Sequence, residues 1–259
     1  MKDLNMLFRE RIDFPEHEKI TFENLNKVLD KTAKALPFEN LSLIEGNNAK
    51  QMTKDNLSYK ILEKREGGLC YELNPILYLF LKENGFEARM VLGSVYSQKE
   101  QRWSPTGKTH VANLIHHQGE FYLIDTGFGG NLPLCPVPLT GKIVSSANGE
   151  FQVQRENTEY GDYVFYMKHH HKHSNWQIGY TFDSKHSVQN IEQLDTIKKI
   201  IEEHEASTFN KRMLATKLTD RGSMTLTDNS FTEWIDGEKK ESTIDNNQFK
   251  EMKRKYFNL

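Results

Sequence analysis

The sequence predicts an α+β fold in which a helical N-terminal third leads into a run of strands and then a mixed tail. Up to about position 85, apolar residues recur at helical spacing. From Ala88 the texture changes to short β-type runs separated by Gly, Pro and Ser turns, and beyond Ile191 helix and strand patterns alternate. At 259 residues the chain exceeds the modal single domain, so two or three sub-domains around one cleft are expected.

Phe22, Leu25, Val28, Leu29 and Leu36 follow Thr21, which reads as an N-cap, and Pro37 stops the pattern. Leu57, Ile61 and Leu62 suggest a second helix. Ile76 through Leu81 suggest a third, ended by Asn84-Gly85. The β-type runs are Arg89 to Tyr96, His110 to His117, Phe121 to Asp125, Glu150 to Gln154, Tyr163 to Met167 and Trp176 to Phe182, which read as a meandering sheet or barrel. Ile191, Leu194, Ile197 and Ile201 mark a further helix. Ser223 to Thr227 and Phe231 to Ile235 follow as strands, with an Asp236-Gly237 turn and a closing helix around Phe249 and Met252.

Lys and Arg number 34 against 36 Asp and Glu, a net charge of −2, which gives no electrostatic case for nucleic acid or an acidic membrane. No apolar run has the length to span a bilayer, and the Met1-Lys2-Asp3-Leu4-Asn5 start lacks a secretory apolar stretch, so a cytoplasmic location is expected. The two cysteines, Cys70 and Cys135, lie far apart without close Cys/His spacing. They fit neither a disulfide framework nor a zinc site, and a reduced, reactive thiol is the alternative.

The run from His110 to His117, then Gln118-Gly119, then Glu120 to Asp125 reads as a hairpin. A two-residue turn pairs His117 with Glu120 and so Ala112 with Asp125. Period-two geometry then puts His110 on the face of Asp125, within diagonal reach, whereas an odd-numbered loop would separate them. A carboxylate that fixes an imidazole's tautomer is what the base of a Ser or Cys nucleophile needs. Cys70 follows a Gly67-Gly68 turn that enters an apolar helical stretch, where a helix N-terminus and an imidazolium favour a thiolate. Pro75 leaves two options: Asn74 caps a helix starting after the cysteine, or a longer helix is kinked. Taken alone, Cys70 is as well read as a small buried hydrophobe.

The ordered segments Leu36-Pro37-Phe38-Glu39-Asn40-Leu41, Gly67-Gly68-Leu69-Cys70-Tyr71-Glu72-Leu73-Asn74, Thr106-Gly107-Lys108-Thr109-His110 and Asp125-Thr126-Gly127-Phe128-Gly129-Gly130 resemble those of the arylamine N-acetyltransferases. The resemblance implies a helical bundle over 1–86 carrying the nucleophile, a β-barrel over 87–186 carrying His and Asp, and an interdomain helix with an α/β lid over 187–259. It also implies a Cys-His-Asp centre like that of papain-type proteases, made of Cys70, His110 and Asp125. The implied reaction is ping-pong acetyl transfer from acetyl-CoA to a small aromatic amine or hydrazine, in a monomer or homodimer and with no metal. Thr106, Gly107, Thr109, Gly127, Phe128 and Gly129 resemble CoA-contacting positions, and Phe38, Tyr71, Val95, Phe128 and Phe209 resemble an aromatic-amine pocket. One position departs from the pattern: the family's usual Arg before Gly-Gly is Glu66 here, with Arg65 one place earlier. If that arginine pairs with the acid at Glu39, Arg65 must reach differently or the turn is looser.

A cysteine hydrolase would use the same triad, and a weakly active acyl-CoA-binding protein is a further alternative. Cys135, in Leu134-Cys135-Pro136-Val137-Pro138, reads as packing. His169-His170-His171-Lys172-His173 reads as an exposed hairpin connection rather than a metal site, and His116 and His117 as solvated.

Overall fold

The computed structural model describes residues 3–46, 51–170, 172 and 174–259. Its N-terminal helices are Leu4–Arg11, Leu25–Ala35 and Cys70–Glu83, with Ser58–Glu63 wound as a π-helix. The Cys70 helix begins at the cysteine itself and contains Pro75, which decides between the two readings of that proline. Phe8, Leu25, Leu29, Ile61, Ile76 and Phe80 form its core, joined by Ile191, Leu194, Ile197 and Ile201 from the Leu194–Glu203 helix and the turn before it. That later helix shows the clean amphipathic spacing visible in the sequence and docks its apolar stripe onto the N-terminal core.

A nine-stranded sheet curls into a nearly closed barrel, in the order Val137–Pro138, Glu120–Ile124, His110–His117, Glu87–Ser97, Gln177–Val188, Tyr163–His169, Gly149–Arg155 and Val144–Ser146. The short Arg102–Trp103 strand pairs off this path with Glu87–Ser97. The expected border at 186/187 falls inside the Gln177–Val188 strand, whereas that at 86/87 falls just before a strand begins. The two faces of the His110–His117 strand serve different cores. Val111 and Ile115 pack with the helices, and Ala112 and Leu114 fill the barrel with Val91, Leu123, Phe151, Phe165, Tyr180 and Phe182.

The second sheet has five antiparallel strands, in the order Phe38–Glu39, Leu214–Thr219, Gly222–Thr227, Ser230–Ile235 and Glu238–Thr243. Phe38 and Glu39, from the helical third, thus form the edge strand of the C-terminal sheet and tie the ends of the chain together. The opposite edge, Glu238–Thr243, is exposed throughout and carries two lysines and two glutamates, which suits a strand that must not recruit another chain.

Candidate active site

The hairpin closes as the alternation requires, with His117 opposite Glu120 and Asn113 opposite Ile124. Asp125 leaves the strand end on the barrel side, and His110 Nε2 meets Asp125 Oδ2 at 2.8 Å with both side chains buried. Tyr180 donates its hydroxyl to the same carboxylate oxygen at 2.8 Å and sets its ring 4.3 Å from the imidazole. The other oxygen, Oδ1, accepts Asn74 Nδ2 at 2.8 Å and the Gly127 N–H at 2.7 Å. Asn74 also donates to the Val111 carbonyl at 2.6 Å and accepts the Thr126 N–H at 3.0 Å. Three donors besides His110 therefore fix the carboxylate, and the fixed carboxylate orients the imidazole.

Cys70 presents its thiol from the first residue of its helix, 3.6 Å from the Thr109 carbonyl and beside His110. Gly127 packs so tightly against this residue that a Cβ there would fall 2.7 Å from Cys70 Cα and 2.6 Å from Asn74 Nδ2. Only glycine lets the Asp125–Phe128 loop close on the thiol.

Burial opposes a charge on His110, yet Asp125 and Cys70 outweigh it and raise the imidazole pKa to about 10. Burial also opposes a charge on Asp125, but His110, Asn74 and the Gly127 N–H hold its carboxyl below the usual carboxylate range. Both shifts favour an imidazolium–carboxylate pair. Burial alone raises the Cys135 thiol to about 11.

The thiol opens into a cleft of about 870 Å³, mouth included, whose exposed wall is mostly apolar. Phe38, Val95, Thr106, Thr109, Gly127, Phe128 and Phe209 line it with Cys70 and His110. Phe38 and Phe209 meet edge to face at 5.5 Å, and Phe128 packs likewise on His110 at 5.2 Å. Gly107 and Gly129 lie outside this lining. Tyr71 requires a correction: it is buried in the helical core and is not on the cleft wall, because one residue past Cys70 turns it about a hundred degrees round the helix. Ser97, Glu100, Ser104, Pro105, Ile201 and Ala206 to Thr208 complete the wall. Among these, Ser207 Oγ is buried without a hydrogen-bond partner among the described residues.

The strands Tyr163–His169 and Gln177–Val188 pair antiparallel, so the histidine run enters a hairpin connection as read, with His170 exposed in it. His169 departs from that reading: it ends the strand and is buried, with Nε2 3.1 Å from Asn131 Oδ1; His171 and His173 lie outside the described residues. His117 stacks on Phe22 at 4.1 Å, and His116 bonds Glu87 at 2.9 Å, so neither is merely solvated.

A family model for N-acetyltransferases matches residues 21–259. The NAT3 arylamine N-acetyltransferase of Bacillus cereus superposes with a TM-score of 0.93 at 39% identity, covering 100% of this chain and 99% of that one. The chain belongs to the arylamine N-acetyltransferase family. Arylamine N-acetyltransferase C of Bacillus anthracis gives a TM-score of 0.94 at 36% identity, over 100% of this chain and 99% of the other. A Bacillus subtilis relative, the uncharacterized acetyltransferase YvcN, is 42% identical over 178 residues, 69% of this chain and 68% of its own length. The B. cereus N-acetyltransferase is described with a Cys-His-Glu catalytic triad. In the present family member the acid that meets the histidine is Asp125. No helix among the described residues is long and apolar enough to cross a membrane.

Proposed function

We propose that this chain carries acetyl from acetyl-CoA to the nitrogen of an arylamine or arylhydrazine in two half-reactions, with Cys70 holding the acetyl group between them. The observation that carries this reading is the buried His110–Asp125 pair beside a helix-terminal thiol, opening onto a cleft with aromatic walls. In the first half-reaction Cys70 Sγ, its proton on His110, bonds to the acetyl carbon. The carbon–sulfur bond to CoA then breaks, and the CoA sulfur takes the proton from His110. In the second, the amine nitrogen bonds to the acetyl carbon, the bond to Cys70 breaks, and His110 accepts the amine proton. Asp125 keeps the imidazole oriented and stabilises its cation throughout. The start of the Cys70 helix favours the negative charge that develops on the acetyl oxygen.

Phe38, Val95, Phe128 and Phe209 are the proposed faces for a flat aromatic ring. Thr106, Gly107, Thr109, Gly127, Phe128 and Gly129 are the proposed CoA contacts, four of them on the cleft wall. Stopped-flow detection of CoA release from acetyl-CoA without any amine tests the reading. One equivalent per protein should appear in a burst that Cys70→Ser abolishes. Steady amine-independent turnover would point to a hydrolase, and no release at all to a binding protein.

A further inference from the structure

Beneath the Gly67-Gly68 turn two buried carboxylates, Glu39 and Glu72, meet Lys60, whose side chain is 16% exposed. Lys60 Nζ lies 2.6 Å from Glu72 Oε1 and 3.9 Å from Glu39 Oε1. Each carboxylate uses its second oxygen to hold backbone. Glu72 Oε2 accepts the Leu69 N–H at 3.0 Å, closing the first turn of the helix that starts at Cys70. Glu39 Oε2 accepts the Leu41 N–H at 2.6 Å, while its own N–H donates to the Gly68 carbonyl at 3.0 Å. The lysine thus stands between the turn that leads to the thiol and the Phe38–Glu39 strand, whose Phe38 is on the cleft wall.

The turn is pressed onto this cluster. A Cβ on Gly68 would fall 2.7 Å from Glu72 Oε2, and one on Gly67 2.1 Å from the Pro37 carbonyl. Arg65 does not take part in this way: it is exposed, in the left-handed region at φ 61°, and its carbonyl accepts Arg11 Nη2 at 3.0 Å. Glu66 is only partly buried and lies 3.7 Å from Lys64. The cation reaches the cluster instead from the π-helical segment Ser58–Glu63, whose widened turn closes through Lys64 N–H to the Tyr59 carbonyl at 2.8 Å. Such widened turns occur often where a helix serves a functional site. Buried ion clusters are poor devices for stability, since desolvation consumes most of the attraction, whereas losing one partner strands the others. Placement of backbone is the use that fits.

We propose that Lys60 is a positioning residue for the nucleophile: it clamps Glu72 and Glu39, and through them fixes the Cys70 turn against the Phe38–Glu39 strand. The proposal rests on the acetyl-cysteine reading of Cys70. Small displacements of a reacting group cost on the order of a hundredfold in rate. Lys60→Met should therefore slow the CoA burst by about ten- to a hundredfold and slow alkylation of Cys70, with an unchanged far-UV circular dichroism spectrum. Glu66 lines the same surface cavity as Lys60 and Glu72, so an arginine there can supply the missing charge. Glu66→Arg in the Lys60→Met background should recover most of the burst rate, a result that a generally loosened protein would not give.

Should Lys60→Met not fold, Lys60→Met/Glu72→Gln removes one of the two stranded charges, keeps an acceptor for the Leu69 N–H, and should show the same slow burst. A burst within twofold of wild type in whichever variant folds, or a slow burst that Glu66→Arg leaves unchanged, overturns the proposal. A wild-type protein without a burst fails at the earlier step and removes the acetyl-cysteine reading on which the proposal stands.

Discussion

Cys70 and Cys135 are the same side chain in two settings, and their difference shows what this fold adds to a thiol. Each sulfur lies near a backbone carbonyl, Thr109 at 3.6 Å for Cys70 and Pro133 at 3.4 Å for Cys135. Burial is not what separates them, since Cys70 is the more buried. Cys70 stands at a helix start, beside an imidazole whose pKa is raised to about 10. Cys135 sits in a bend between Pro133 and Pro136, where desolvation acts unopposed and pushes its thiol to about 11. On the proposed reading, reactivity comes from a neighbour that stores charge, and that neighbour is paired with a carboxylate held by three further donors.

The largest effect should come from disarming the carboxylate. Asp125→Asn keeps the shape but presents an amide to His110, and by analogy with other triads it should lower the acetylation rate on the order of a thousandfold or more. Single-turnover kinetics with matched circular dichroism spectra would check this, and a rate near wild type would reduce the contrast between the thiols to helix position. Iodoacetamide should sharpen the same contrast more gently. At neutral pH, peptide mapping over time should show Cys70 alkylated at least about tenfold faster than Cys135, because only one thiol has a base beside it. Equal rates would mean that His110 does not activate the sulfur. The smallest effect belongs to Tyr180→Phe, which removes one of the two donors to Asp125 Oδ2. Chemical denaturation should show a loss of about 1.5–3 kcal/mol, the range for a hydrogen bond to a charged group. An unchanged midpoint would show that the hydroxyl contributes nothing to holding the acid.

The His110–Asp125 contact was legible because strand alternation and a two-residue turn determine it locally. Nothing local joins Cys70 to that pair; family resemblance supplied the link, and the two come together through the packing of a helix on a barrel strand. Tyr180 was invisible in this role because its strand arrives opposite Asp125 only when the barrel curls round. Lys60 escaped notice because the helical reading of Leu57, Ile61 and Leu62 assumes a regular helix, whereas the segment is π-wound. The Leu4–Arg11 helix was missed for a related reason. Arg9 and Arg11 occupy buried positions and spend their donors on the carbonyls of Pro15, Glu18, Ile61 and Arg65, so the buried face does not read as apolar. The Glu238–Thr243 strand carries no hydrophobic alternation at all, being an exposed edge.

The most direct test of the difference between the two thiols is to treat the protein with acetyl-CoA alone, digest it under acidic conditions that preserve thioesters, and map the acetyl group by mass spectrometry. One acetyl group per chain is expected, on the peptide containing Cys70 and discharged when an arylamine is added. Acetyl on the Cys135 peptide, or on neither, would contradict it.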